Sequence, residues 1–215
     1  MSKGINQVFW YGTKNGEICG DIKISEPFLE VNVTKGTLFK TVSTQLVGDY
    51  NLPNVLCAIM VGKHFNVPGE KIKSAIENYI PSNSRSQLLE IGTNKIILDA
   101  YNANPSSMKV AIENFAHVHA KNKILILGGM MELGDESIQE HKNLLALINQ
   151  YKWKKVILVG GDFKNTGLSE TFFNSADEAR VWLEQQNFQQ TYFLIKGSRS
   201  IQLEKILPAF QISQS

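Results

Sequence analysis

Up to about residue 45, apolar positions come in short runs with near-alternate spacing, at residues 7–11, 18–24, 28–33 and 38–42, and these predict β-strands. Asn15-Gly16 and Lys35-Gly36 fall between runs, where tight turns would connect neighbouring strands. After Gly48 the spacing changes to a helical period. Val55, Ala58, Ile59 and Val61 fall on one predicted helix, and Ile72, Ala75, Ile76 and Tyr79 on a second. Pro68-Gly69 separates the two helices, and Pro81-Ser82-Asn83-Ser84 ends the second, which sets a domain boundary at about residue 82.

Beyond that boundary the two periods alternate. Residues 87–91 and 95–98 predict a hairpin around Gly92-Thr93-Asn94. Then follow a helix at 106–119, a strand at 123–127, a helix at 136–150, a strand at 155–159, a helix at 176–186, a strand at 191–195 and a last helix at about 200–207. Short, wholly apolar strands alternating with helices predict an α/β fold, with a mainly parallel sheet covered on both faces in a Rossmann-like carboxy-terminal domain. Such sheets bind ligands beyond the carboxyl ends of their strands. The segments to read for chemistry are therefore 99–105, 128–134, 160–162 and 196–199.

Composition narrows the function classes. The 22 basic and 20 acidic residues of the 215 leave a net charge of only +2, with Lys and Arg scattered, which argues against a nucleic-acid or membrane-surface partner. The two cysteines, Cys19 and Cys57, have no metal-ligand spacing, so a reduced, cytoplasmic setting without a structural metal is expected. No apolar run approaches the roughly 20 residues that cross a bilayer. His64, His117, His119 and His141 also lack metal-ligand spacing and read as surface or satisfied polar residues.

Four segments concentrate chemistry, each with an ordinary alternative. Asp99 to Met108 brings together an acid, a tyrosine and two amides at Asn102 and Asn104. Asp99 there could accept hydrogen bonds from a sugar, or the segment could be a loop whose Asn104 or Ser106 caps a helix. Gly128-Gly129 permits close approach to a ligand or simply a tight turn. Lys196-Gly197-Ser198-Arg199 offers cations and a hydroxyl to an anion, or is a solvated loop. Asn51 ahead of Pro53 could cap the first helix or read an adenine edge.

In this order and spacing, Gly48, Asn51 and Asn54, Ser84-Arg85-Ser86-Gln87, Asp99 with Tyr101-Asn102-Ala103-Asn104-Pro105-Ser106, Glu132-Leu133-Gly134 and Lys196-Gly197-Ser198-Arg199-Ser200 resemble the Mur ligase family. The resemblance runs over essentially the whole chain. It implies that residues 1–82 are the carboxy-terminal part of a central ATP-binding domain and 83–215 the carboxy-terminal domain. It also implies an ADP-forming ligase that activates a carboxylate as an acyl phosphate for attack by an amine. The partners implied are ATP with Mg2+, a UDP-N-acetylmuramoyl-tripeptide and D-alanyl-D-alanine, and the protein itself is expected to be a monomer. Carried over by motif, Asn51 approaches adenine, Arg85 the phosphates and Asp99 the ribose, while Tyr101, Asn102, Asn104, Lys196, Ser198 and Arg199 border the substrates. Tyr50 stands where the family often has His, and the phosphate-loop pattern G-x-x-x-x-G-K-[ST] does not occur. The chain is therefore expected to be a fragment that neither ligates by itself nor binds ATP below the millimolar range. The alternatives are another Mur-like ligase, such as a folate-type glutamate ligase, or a non-catalytic nucleotide-binding module.

Overall fold

The computed structural model describes residues 4–82, 84–167 and 170–212. Met1 to Lys3 and Asn83, which entered the sequence reading, lie outside them. Two compact units result, Met1–Pro81 and Ser82–Ser215.

In the first unit, strands β1 (Tyr11–Gly12), β2 (Ile18–Ile24), β3 (Glu30–Lys35) and β4 (Thr41–Ser43) form one sheet in that order, followed by helices α1 (Leu52–His64) and α2 (Gly69–Glu77). Ile18, Val31, Val33 and Val42 turn inward onto Val55, Leu56 and Ile59 of α1 and Ile72 of α2. The helices meet closely at Gly62, where a Cβ would lie 2.8 Å from the Ile72 side chain. One expectation is corrected: β1 runs parallel to β2, so Asn15-Gly16 does not make a hairpin. The chain instead folds back through Glu17, whose N–H reaches the Trp10 carbonyl at 2.7 Å, and the parallel pairing is only a two-residue bridge.

The second unit contains β5 (Gln87–Ile91), β6 (Asn94–Asp99), α3 (Pro105–His117), β7 (Lys123–Gly128), α4 (Ser137–Ile148), β8 (Lys155–Val159), β9 (Thr171–Phe173), α5 (Ala176–Glu184), β10 (Tyr192–Lys196) and the short α6 (Ala209–Ile212). The sheet order is β5-β6-β10-β7-β8-β9. It is parallel apart from the β5–β6 hairpin. Strand residues alternate between two buried faces, as the unbroken apolar runs require. Ile96, Ile124, Ile126, Ile157, Phe193 and Ile195 pack with Ala179 and Leu183 of α5 and with Leu203 and Ile206. The helix expected at 200–207 is two 3-10 turns, Arg199–Ile201 and Leu203–Ile206, broken where Gln202 takes a left-handed φ of 56°. The 3-10 geometry stacks Leu203 and Ile206, three apart, on the side that is fully buried. Because β10 returns between β6 and β7, the chain reverses direction across the sheet at that point, where such folds open a crevice. Among the described residues no helix is long and apolar enough to cross a membrane.

Candidate functional site

The carboxyl ends of β6, β10, β7 and β8 form one continuous edge in the second unit. In the β6–β10 register, Asp99 lies directly opposite Lys196. The Lys196 ammonium donates to Asp99 Oδ2 at 2.6 Å and to the Asn102 carbonyl at 3.2 Å, with the lysine side chain 3% exposed and the aspartate 15%. Asp99 Oδ1 accepts the Ser86 N–H at 3.1 Å. The Asp99–Lys196 pair thus ties three segments together: the carboxylate holds the 84–86 turn and the end of β10, and the ammonium holds the loop after β6. Lys196, expected to border the substrates, is paired within this knot, as a lysine so buried needs a counter-charge.

The other expected residues separate by their partners. Arg85 is exposed, and its guanidinium lies over the Tyr101 ring, 3.6 Å from the centroid. Arg199 pairs with Glu204 at 3.2 Å. Asn102 Oδ1 accepts the Ala103 N–H at 2.9 Å. Asn104 is the amino-terminal cap of α3. Its Oδ1 accepts the Ser107 N–H at 2.8 Å and the Ser106 hydroxyl at 2.9 Å, so the capping alternative is realised and that oxygen is occupied. Ser198 is buried, and its hydroxyl accepts the Met131 N–H at 2.9 Å, which makes it a brace for the neighbouring loop. In the first unit Asn51 is buried and does not cap α1 with its side chain. Its Nδ2 donates to the Val47 carbonyl at 2.8 Å, and its Oδ1 accepts from Asn54 at 3.0 Å.

The paired glycines serve close packing. A Cβ on Gly129 would come within 2.5 Å of the Gly161 Cα, and one on Gly128 within 3.2 Å of the Gly197 Cα. The first three amides after Gly128 are already used: Gly129 N–H goes to the Val159 carbonyl, Met130 N–H to His141 Nε2 at 3.1 Å and Met131 N–H to Ser198. His141 is fully buried, and accepting at Nε2 assigns its proton to Nδ1, which donates to the Ser137 carbonyl at 2.7 Å.

Beside this braced loop lies an open cleft of about 400 Å³ lined by Met130, Met131, Glu132, Leu133 and Gly134, by Ser137, and by Gly161, Asp162 and Lys164. Hydrogen bonds from Ser137 and then Asn165 hold the Asp162 carboxyl below its ordinary value against the opposing effect of burial. The sequence pointed to 128–134 and 160–162 by position. Ser137, His141 and Lys164 were missed as a group, since only the packing of α4 against the loop after β8 brings them together. Glu132 and Asp162 present carboxylates and Lys164 an ammonium, a mixture suited to a small molecule carrying both charges. Among the described residues no group of three or more His, Cys, Asp or Glu could hold a metal ion.

Comparison with known proteins gives three kinds of likeness. A family profile described as "Mur ligase, glutamate ligase domain" matches residues 84–198. A UDP-N-acetylmuramoyl-tripeptide--D-alanyl-D-alanine ligase of Rickettsia prowazekii is 35% identical over 136 residues, covering 60% of this chain and 30% of the relative. The enzyme of the same name from Bacillus subtilis is 30% identical over 209 residues, 91% of this chain and 45% of the relative. The chain therefore spans less than half the length of these relatives. Among solved structures, a MurF ligase from Thermotoga maritima in complex with ADP superposes with a TM-score of 0.79 over 95% of this chain and 48% of its own, at 18% identity, a likeness of fold.

Proposed function

The chain belongs to the Mur ligase family, and from that premise we propose that it is part of an ATP-dependent ligase that adds D-alanyl-D-alanine to a UDP-N-acetylmuramoyl-tripeptide in peptidoglycan synthesis. The observation that carries the choice of member is the 30% identity with the B. subtilis ligase of that name across 91% of the chain. Residues 1–82 are proposed to belong to the central ATP-binding domain and 83–215 to be the carboxy-terminal domain. The relatives' greater length supports further polypeptide that supplies the phosphate cradle and the Mg2+ ligands, for which the residues described here offer no set.

The reaction proposed has two steps. The precursor's terminal carboxylate attacks the γ-phosphorus of ATP, giving an acyl phosphate and ADP. The dipeptide amine then attacks the acyl carbon, and inorganic phosphate leaves as the amide forms. Arg85 supplies in-plane donors to phosphate oxygens, since its charge is unspent on any acid among the described residues. Asp99 retains lone pairs beside its two bonds and accepts from the ribose hydroxyls, while Lys196 holds it in place. Asn51 is proposed as an adenine contact on resemblance alone. The cleft after β7 and β8 receives the dipeptide, with Glu132 and Asp162 toward its ammonium and Lys164 toward its carboxylate. Its walls are Met130, Leu133 and Gly161, small or apolar as two alanine methyl groups require.

The test is ATP hydrolysis by the full-length ligase with the tripeptide precursor and a panel of amines. ADP release stimulated by D-alanyl-D-alanine is expected. Stimulation by a single amino acid or by glutamate, and none by the dipeptide, would replace this reading with another member of the family.

A further inference from the structure

We propose that Tyr101 is a positioning residue that holds the Arg85 guanidinium face-on with its donor edge open to a phosphate oxyanion, an inference that rests on the phosphate role given to Arg85 above. The five N–H bonds of a guanidinium lie in its plane, so a partner on the face leaves every donor available, whereas a carboxylate would occupy two of them. Tyr101 is that partner, 3.6 Å from the guanidinium carbon to the ring centroid. Along the same edge, Lys196 is paired with Asp99 and Arg199 with Glu204, while Arg85 has no ion-pair partner among the described residues.

The backbone shows that the stack is built. Ser84 and Ser86, on either side of Arg85, are both buried, with left-handed φ values of 57° and 47° that side chains other than glycine adopt reluctantly. The Ser84 N–H is held by Gln87 Oε1 at 3.0 Å and the Ser86 N–H by Asp99 Oδ1 at 3.1 Å. Tyr101 is fixed from the other side, between Asp99 and Asn102, both of which bind the Lys196 ammonium. One buried ion pair therefore sets the positions of both stacking partners. An arginine left free on the surface would spread over many rotamers, and the ring confines it before any ligand arrives.

The experiment follows the Arg85 side-chain Nε–H resonance of the 215-residue chain by NMR during titration with sodium tripolyphosphate into the millimolar range. In the wild type the resonance should lie upfield through the Tyr101 ring current and respond to the anion. Tyr101→Phe keeps a ring and should keep both the shift and the affinity within twofold. Tyr101→Leu should lose the upfield shift and weaken binding roughly three- to tenfold, with a melting temperature near wild type because Tyr101 is 41% exposed. Arg85→Lys, which keeps the charge but has no planar face, should weaken binding similarly and serves if the leucine variant folds poorly. Wild-type affinity in Tyr101→Leu or Arg85→Lys overturns the positioning role and leaves the ligase reading standing. An Arg85 resonance that ignores tripolyphosphate in the wild type overturns it together with the phosphate role of Arg85, while the amine-dependence assay judges the ligase reading separately.

Discussion

Asp99→Asn removes one negative charge and almost no volume, so it isolates what that charge does for Lys196. The lysine side chain is 3% exposed and the aspartate 15%, and their 2.6 Å contact lies too far inside the protein for the discount that applies to surface pairs. Removing one member of a buried pair costs about 3–5 kcal/mol, because the remaining charge is left without compensation. Partial exposure of Asp99 lets some water reach the ammonium, and the amide oxygen can still accept the Ser86 N–H, which favours the lower end, about 3 kcal/mol. For a chain of this size that corresponds to a fall of roughly 6–12 °C in melting temperature. Tryptophan fluorescence should follow it, since Trp153 and Trp182 both lie in the second unit. Asp99→Asn with Lys196→Met, which removes both charges, should recover more than half of the loss. A single variant that melts within 2 °C of wild type, or a double variant no better than the single, would refute the reasoning that this pair knots the edge together.

Three further outcomes follow from the packing around the cleft. His141→Leu should cost about 1–3 kcal/mol by leaving the buried Met130 N–H without its acceptor, and hydrogen exchange at that amide should accelerate more than at the β7 amides. Gly129→Ala would set a methyl group 2.5 Å from the Gly161 Cα, so a loss of about 1–3 kcal/mol is expected in urea unfolding. The Asp162 carboxyl, held low by Ser137 and Asn165, should titrate below the ordinary aspartate value near about 4 in carbon-detected NMR, and Ser137→Ala should raise it. Since the folded-state value is the lower one, the stability linked to it is present above the unfolded value and is lost as pH falls through the folded one.

The parallel sheet was legible because its central strands are buried on both faces and so appear as unbroken apolar runs such as Ile124 to Leu127 and Phe193 to Ile195. β9, three partly buried residues at the sheet edge, has too few positions to show a period. The bridge between β1 and β2 was misread because Asn15-Gly16 carries a hairpin signal that its surroundings override. At the site, position along the chain was enough to single out Asp99 and the loops after β7, β8 and β10, while Arg85 entered only through the family resemblance. Partners were not legible in the same way. Asp99 and Lys196 stand 97 residues apart and meet only because β10 inserts beside β6, a matter of topology that no local pattern encodes. For the same reason the bonds from Lys196 to Asp99 and from the Met131 N–H to Ser198 could not be read from the loop after β10 itself. Asn104 went the other way. Its capping role was visible in Asn-Pro-Ser-Ser, and the cap is what formed.

Along this edge Lys196 is committed to Asp99 and Arg199 to Glu204, while Arg85 keeps its donors open over Tyr101. The most direct measurement is the KM for ATP of the full-length ligase carrying Arg85→Gln or Arg199→Gln, each compared with the unmodified enzyme. A charged hydrogen bond of about 1.5–3 kcal/mol lost at Arg85 should raise KM roughly tenfold to a hundredfold, and the Arg199 variant should stay within about twofold. The opposite order, with Arg199→Gln impaired and Arg85→Gln normal, would contradict the assignment of Arg85 as the cation that meets the nucleotide.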